Sequence, residues 1–219
     1  MNILSILLII FGYLLGSIPT AYIAGRVVKG IDLRAHGSGT VSGSMVWEHV
    51  GHWVVVPVGL FDVAKGAIPT WLALQLDLGV FVAVLAGFAA VMGHNWPVFL
   101  RFIGGRGLSS MLGMLLVLFP PGVLWLLVFL ALGRLSDPPI WALLGLVTIP
   151  LLSCWIGGPE YLLNVIMIML IITLVKRLEA NRRPLPPPGK ERRTVLLRRL
   201  FLDRDIANHE EWIRRTPVN

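Results

Sequence analysis

Residues 3–23, ILSILLIIFGYLLGSIPTAYI, decide the class of fold, because this run contains no acidic or basic residue. An apolar run of about 20 residues is long enough for a helix to cross the hydrocarbon core of a bilayer. No Lys or Arg precedes the run, it exceeds the apolar part of a usual signal peptide, and no clear cleavage site follows. The sequence therefore predicts a retained first membrane helix whose N-terminus lies outside.

The rest of the chain has the same apolar character. Of its 219 residues, 56% are hydrophobic and 14% are charged, and the mean hydropathy is +0.78. A soluble domain has about 45–50% apolar and about 25% charged residues. The single cysteine, Cys154, excludes an internal disulfide framework and a cysteine-based metal cluster. Neither a metal-ligand spacing nor a cofactor fingerprint occurs, so we expect no metal and no cofactor.

Six further apolar runs follow the first one, at residues 53–76, 78–100, 108–119, 123–132, 139–156 and 161–175. Pro120-Pro121-Gly122 separates two of these runs, and proline favours a turn between short helices over one broken span. The predicted fold class is therefore all-α, a polytopic transmembrane bundle of seven helices. A bundle of five crossings would also leave the first basic loop and the C-terminal segment on the same side.

The charges are unevenly placed along the chain. Residues 1–175 contain 7 basic and 6 acidic residues, whereas residues 176–219 contain 12 basic and 6 acidic ones. With seven crossings, every Lys and Arg of a connection lies on the inner side, in agreement with the positive-inside rule. We expect a cytoplasmic C-terminus and no nucleic-acid partner, because the basic segment lacks interleaved aromatic residues.

The composition changes after the last apolar run and predicts a boundary. We assign residues 1–183 to a transmembrane domain and residues 184–219 to a basic, Pro-rich cytoplasmic tail. Within the tail, residues 192–204 mix basic positions with leucine-rich ones. Two interpretations stay open, a short amphipathic helix lying on the membrane and an ordinary surface helix packed on the body.

Three polar segments on the predicted inner side are candidates for a functional site. The first is the loop His36-Gly37-Ser38-Gly39-Thr40, whose backbone N–H groups and hydroxyls are typical of an anion-binding nest. The second is the pair Asp62 and Lys65, which share a face of a helix and lie deep in an apolar run. This pair indicates either a supporting role in a site or a neutralising ion pair.

The third segment runs from Gly93 to Ser110 and is the densest in polar residues. His94 and Asn95 end one span, and a Gly-Gly-Arg-Gly turn then opens the next helix with Ser109 in its first turn. Glycine N–H groups, a helix N-terminus and a guanidinium together favour phosphate binding. Arg177 and Asn181, near the C-terminal end of the last span, add a fourth polar segment to the predicted site.

These motifs, in this order, resemble the PlsY family of bacterial acyl-phosphate:glycerol-3-phosphate acyltransferases. The resemblance extends from the first span to about Glu191. Six segments carry it, namely Gly16-Ser17-Ile18-Pro19, the segment from Lys29 to Arg34, Gly37-Ser38-Gly39, Asp62-x-x-Lys65-Gly66, the segment from Gly93 to Leu100, and Gly104-Gly105-Arg106-Gly107. It implies a multi-pass protein of the bacterial cytoplasmic (inner) membrane without an obligate protein partner.

The resemblance implies a reaction and a set of site residues. A fatty acyl group passes from acyl phosphate to the 1-hydroxyl of glycerol 3-phosphate, and lysophosphatidic acid and inorganic phosphate are released. The residues expected to be catalytic are Ser38, His94 and Arg106. Those expected to bind the substrates are Gly37, Gly39, Thr40, Lys65, Asn95, Gly104, Gly105, Gly107, Ser109, Arg177 and Asn181, with Asp62 in support.

The first loop departs from the family pattern at four positions. Thr40 and Met45 replace asparagines, Ser42 replaces a glycine, and Glu48 replaces an arginine. Arg106 stands where the family usually has lysine, which keeps the charge but changes its geometry. These departures leave two alternatives open, a divergent paralogue with another acceptor or none, and a small transporter or membrane scaffold.

Overall fold

The structure, a computed structural model, describes residues 1–37 and 39–214, with side chains as far as residue 212. Within these residues every regular element is a helix. The described chain forms two compact units, Met1–Leu118 and Phe119–Trp212. The predicted all-α class is confirmed, and each of the seven predicted apolar runs contains a helix.

Six α-helices form the first unit, and the sequence did not predict two of them, α2 and α3, as separate helices. They are α1 (Ile3–Ser17), α2 (Thr20–Lys29), α3 (Gly43–His49), α4 (Val55–Gln75), α5 (Gly79–Asn95) and α6 (Leu108–Leu118). The predicted first membrane helix is interrupted at Ile18–Pro19, where the chain leaves helical geometry, so α1 and α2 together form the first apolar stretch. Proline has no N–H to donate and its ring blocks the preceding helical turn.

Small residues allow the helices of the first unit to approach closely. Gly12 and Gly16 of α1 face the backbone of Ala86 and Ala90 on α5, and a Cβ on either glycine would collide with that backbone. Gly66 of α4 and Gly113 of α6 likewise face each other's helix backbone. Such small-residue contacts are a common way for membrane helices to pack.

The second unit contains α7 (Pro120–Gly133), α8 (Pro138–Ile156), α9 (Leu162–Glu179) and α10 (Lys190–Leu202), and α11 spans His209–Arg214. Phe119 alone separates α6 from α7. The predicted turn between two short helices is therefore confirmed, and Pro120 and Pro121 occupy the first turn of α7, where a missing N–H is tolerated. Helix α10 packs against α8 and α9.

The apolar helices have the length and surface of membrane spans. Four helical stretches are long and apolar enough to cross a bilayer, namely Ile3–Lys29, Val55–Gln75, Gly79–Leu100 and Pro138–Ile156, while α6 and α7 are shorter. Large apolar side chains on these spans remain exposed, such as Leu60, Phe81 and Leu151. The protein is a multi-pass membrane protein, whereas the number of crossings and the boundary at residue 183 stay predictions.

Candidate active site

A buried ion pair lies at the centre of the first unit. Lys65 and Asp62 are 1% and 2% exposed, and Lys65 Nζ lies 2.6 Å from Asp62 Oδ1. The ammonium also donates to the Ile18 carbonyl at 2.6 Å and to Thr20 Oγ1 at 3.1 Å. Its three N–H bonds are thus directed at protein oxygens, and the predicted contact of Lys65 with phosphate stays a prediction. Lys65 joins α4 to the break between α1 and α2.

Two hydroxyl groups complete the surroundings of Asp62. Thr20 Oγ1 donates to Asp62 Oδ1 at 2.6 Å, and Ser110 Oγ of α6 donates to the Asp62 carbonyl at 3.0 Å. Thr20 is not among the site residues predicted from the sequence. Its signal was Pro19, since a proline inside an apolar run ends the helix and places the next residue in a new first turn.

His94 lies next to this pair at the end of α5. Its Nδ1 is 3.6 Å from Asp62 Oδ1, and its side chain is 8% exposed. A carboxylate on this side of the ring favours the tautomer with hydrogen on Nδ1, which leaves Nε2 as an acceptor. Gly105 faces Nε2 so closely that a Cβ there would collide with the ring.

The glycine turn packs on the last residues of α5. The Gly105 N–H donates to the His94 carbonyl at 3.1 Å. Gly104 faces the carbonyls of His94 and Asn95, whereas Gly107 has a φ of +77° and faces the side-chain amide of Asn95. A left-handed φ and this close approach both require glycine. A small cavity of about 10 Å³ lies between the ion pair and the glycine turn. Its lining includes Thr20, Lys65, His94, Gly104 and Gly105.

Asn95 is fully buried, and its amide oxygen and nitrogen have no hydrogen-bond partner among the described residues. A buried amide without partners costs free energy, so such groups occur where a polar ligand or water is bound. The turn next to Asn95 leads into the N-terminus of α6, where N–H groups and the helix dipole attract anions. Arg106 precedes this N-terminus and Ser109 lies in the first turn of α6, and both residues are half-buried.

The first loop contacts the glycine turn. The Val41 N–H donates to the Gly104 carbonyl at 3.3 Å, and the adjacent Thr40 is buried. Gly37 and Gly39 have φ values of +48° and +68°, which other residues rarely adopt. The predicted neighbourhood of the first loop, the ion pair and the glycine turn is therefore present, while Ser38 lies outside the described residues.

An ionic cluster anchors this loop to α2. Asp32 accepts from Arg34 at 2.7 Å and from Arg26 at 3.1 Å, and both guanidinium groups lie over the ring of Tyr22. The hydrogen bond from the Arg34 side chain holds the pKa of the Asp32 carboxyl below its usual range. The cluster therefore keeps its charges over the physiological pH range.

Two residues that depart from the family pattern, Met45 and Glu48, lie in an apolar core and on the surface, respectively. Met45 is 1% exposed and belongs to an apolar cluster with Leu33, Val46 and Leu100. Glu48 is exposed on α3. Met45 thus stabilises the first loop by apolar contacts, where an amide would be buried among hydrocarbon groups.

Arg177 and Asn181 belong to the second unit. Arg177 donates to the carbonyls of Leu200 and Pro139, each at 2.8 Å. Asn181 adopts a left-handed conformation in the turn after α9. Among the described residues there is no group of three His, Cys, Asp or Glu side chains that could hold a metal ion.

The sequence of this chain is similar to those of known proteins. The profile of a family described as glycerol-3-phosphate acyltransferase matches residues 6–185. Glycerol-3-phosphate acyltransferase 5 of Dehalococcoides mccartyi is 35% identical over 234 aligned residues, which cover 100% of this chain and 96% of that protein. The glycerol-3-phosphate acyltransferase of a Synechococcus species is 39% identical over 188 residues, which cover 82% and 94%.

Solved structures share the fold. The crystal structure of PlsY (YgiH), an integral membrane glycerol 3-phosphate acyltransferase, in its glycerol 3-phosphate form has a TM-score of 0.73 and 30% identity. The alignment covers 82% of this chain and 90% of that one. The lysophosphatidic acid form of the same protein gives a TM-score of 0.71 and 28% identity over the same shares.

Proposed function

The chain belongs to the glycerol-3-phosphate acyltransferase family, and on that premise we propose that it acylates glycerol 3-phosphate to lysophosphatidic acid in phospholipid synthesis. The observation that carries this function is the likeness to a solved relative in its glycerol 3-phosphate form, over 82% of this chain at 30% identity. The glycine turn, the first loop and the buried ion pair come from the segments that carry the family pattern.

We propose acyl phosphate as the donor, because the sequence motifs resemble those of the acyl-phosphate-dependent family. The glycine turn at the N-terminus of α6 would suit its phosphate group. Acyl phosphate is already activated, so the protein mainly has to orient the two substrates and stabilise charge. The 1-hydroxyl oxygen attacks the acyl carbon, a C–O ester bond forms as the C–O bond to phosphate breaks, and the hydroxyl proton ends on the released phosphate.

We assign proton transfer to His94 and a positioning role to Asp62. Nε2 of His94 would accept the hydroxyl proton and pass it to the departing phosphate, because Asp62 lies on the Nδ1 side of the ring. Lys65 and Thr20 hold Asp62 by hydrogen bonds. Both Asp62 and Lys65 therefore support the reaction through His94 rather than by contact with phosphate.

Phosphate binding belongs, in this proposal, to Arg106 and to the N–H groups that open α6. A guanidinium beside a helix N-terminus supplies charge-assisted hydrogen bonds to phosphate. We expect Arg106→Ala to raise the apparent KM for at least one substrate by about 10-fold or more, because hydrogen bonds to charged groups contribute about 1.5–3 kcal/mol. Arg101→Ala, at an exposed arginine of the same segment, is the control, and unchanged KM values for both substrates would contradict the assignment.

The function is tested by phosphate release from palmitoyl phosphate in reconstituted protein, with and without glycerol 3-phosphate. The lipid product is identified by mass. Acceptor-dependent release with lysophosphatidic acid supports the proposal. Release without this product would favour the divergent paralogue, and a folded protein without any release would contradict an active acyltransferase.

We place the protein in the bacterial inner membrane with its N-terminus outside and its C-terminus in the cytoplasm. The support is the distribution of Lys and Arg between the connections. Reporter fusions at the two termini test this orientation, and a periplasmic C-terminus would contradict it.

A further inference from the structure

Helix α10 buries an arginine and exposes two large apolar side chains. Its most buried side chain is Arg199, which is 2% exposed, whereas Leu197 and Phe201 are 57% and 49% exposed. A surface helix packed on a soluble body shows the opposite pattern, with apolar residues inward and charged residues outward. The packing of α10 on α8 and α9 therefore does not account for its outer face.

Arg199 is a fixed anchor on the inner face. Its guanidinium donates to the carbonyls of Leu178, Arg183 and Pro184 at 3.2–3.3 Å and pairs with Asp205 at 2.6 Å. This set of partners fixes the rotation of α10 about its axis. The exposure of Leu197 and Phe201 is consequently a property of the packed helix.

The outer face combines charge with apolar surface. Lys190 and Arg193 are exposed, and with Leu197 and Phe201 they follow helical spacing within about 80° of the helix circumference. The charges occupy the N-terminal half of this stripe and the apolar side chains the C-terminal half. An open cleft of about 600 Å³ beside Lys190 and Arg193 is also lined by Arg192 and Leu196.

The C-terminal end of α10 is tied to the end of a membrane span. Arg177, in the last turn of α9, donates to the Leu200 carbonyl of α10 and to the Pro139 carbonyl in the first turn of α8. Arg204 pairs with Asp137, the residue before α8, at 2.7 Å. Because Pro138–Ile156 is a candidate span, these contacts hold α10 at the level where the span meets the lipid headgroups.

We propose that the outer face of α10, formed by Lys190, Arg193, Leu197 and Phe201, docks on the anionic phospholipid headgroups of the membrane that the protein spans. The two basic residues would contact headgroup phosphates, and Leu197 and Phe201 would enter the boundary between headgroups and acyl chains. Basic charge combined with exposed apolar side chains is the pattern of helices that lie in the interface. The segment lies beyond residue 185, where the family match ends.

The test uses the full chain with Cys154→Ser and one new cysteine for a fluorophore, at Leu197, at Phe201 or at Glu191. Glu191 is exposed but lies outside the stripe. The protein is placed in nanodiscs of phosphatidylcholine, alone or with phosphatidylglycerol, that contain lipid spin-labelled near the headgroup. We expect strong quenching at 197 and 201 in anionic discs, and weak quenching at 191.

A charge variant isolates the contribution of the basic residues. Lys190→Gln with Arg193→Gln should weaken docking by about 30-fold, because each basic residue near an anionic surface contributes about a factor of five. Lys29→Gln with Arg101→Gln removes the same charge elsewhere and should leave the quenching unchanged. Equal quenching at all three positions, or quenching independent of phosphatidylglycerol, would overturn the proposal. Protection of position 197 in detergent that grows with protein concentration would assign the face to a second copy instead.

Discussion

Lys65 is held by oxygen atoms from three residues, and both charges of its pair with Asp62 are withdrawn from solvent. Removal of one partner of a buried pair leaves the other charge uncompensated, which costs about 3–5 kcal/mol. We therefore expect Lys65→Met to destabilise the protein by about this amount. The measurement is the unfolding midpoint in detergent, followed by tryptophan fluorescence.

Two further variants show whether a loss of stability comes from the buried ion pair or from any substitution of a charged residue. Lys29→Met changes an exposed lysine and should leave the midpoint unchanged. Asp62→Asn combined with Lys65→Met should be less destabilised than the sum of the two single variants, since neither charge is then left alone. A Lys65→Met protein with an unaltered midpoint and a raised KM for glycerol 3-phosphate would restore the phosphate-binding role predicted from the sequence.

The sequence predicts the pair itself but not its partners. Positions 62 and 65 lie three residues apart, so any helix brings them to one face. Thr20 and Ile18 reach the same ammonium only through tertiary packing, across 45 and 47 residues of sequence. A local spacing is visible in a single sequence, whereas contacts between distant helices depend on the packing of the whole unit.

Helices α4 and α6 approach each other through Gly66 and Gly113. A Cβ on Gly66 would collide with the Ser110 carbonyl, and α6 cannot move away without shifting the glycine turn at its N-terminus. We expect Gly66→Ala to destabilise the protein by about 1–3 kcal/mol, as overpacking of a close-packed core does. It should also lower acyltransferase activity, measured as phosphate release.

Gly59→Ala is the matched control on the same helix. A Cβ at Gly59 would meet no atom within 4 Å, and alanine is the better helix former by up to about 1 kcal/mol. This variant should therefore be as stable as the natural protein or slightly more stable. Equal effects of the two substitutions would show that the contact between α4 and α6 does not limit stability.

Long apolar helices are predictable at the element scale, whereas short polar ones are not. Residues 55–75 form a helix as the apolar run predicts, and α6 and α7 separate where Pro120 and Pro121 indicate a turn. The sequence does not predict helix α3, because its start contains residues that are typical of loops, namely Ser42, Gly43 and Ser44. Its stability comes from Met45 and Val46, which are buried in an apolar cluster that only the folded chain assembles.

At the scale of the whole molecule, the question is whether the C-terminal segment stabilises the membrane helices of the second unit or forms a separate tail. The composition predicts a separate tail from residue 184 onward, yet Arg199 lies at 2% exposure and Arg177 donates to the Leu200 carbonyl. A chain ended after Arg183 would remove the acceptor of one Arg177 N–H group. A buried donor left without its partner costs about 1–3 kcal/mol, and more when it is charged.

We therefore expect the chain ended after Arg183 to unfold at a lower temperature in detergent than the full chain. A chain ended after Asn208 retains α10, Asp205 and the Arg204–Asp137 pair, so its unfolding temperature should equal that of the full chain. If both shortened chains unfold like the full one, residues 184–219 form an independent tail, as the composition alone predicts. A loss confined to the shorter chain would show that α10 stabilises the second unit, as we expect from the contacts of the buried Arg199.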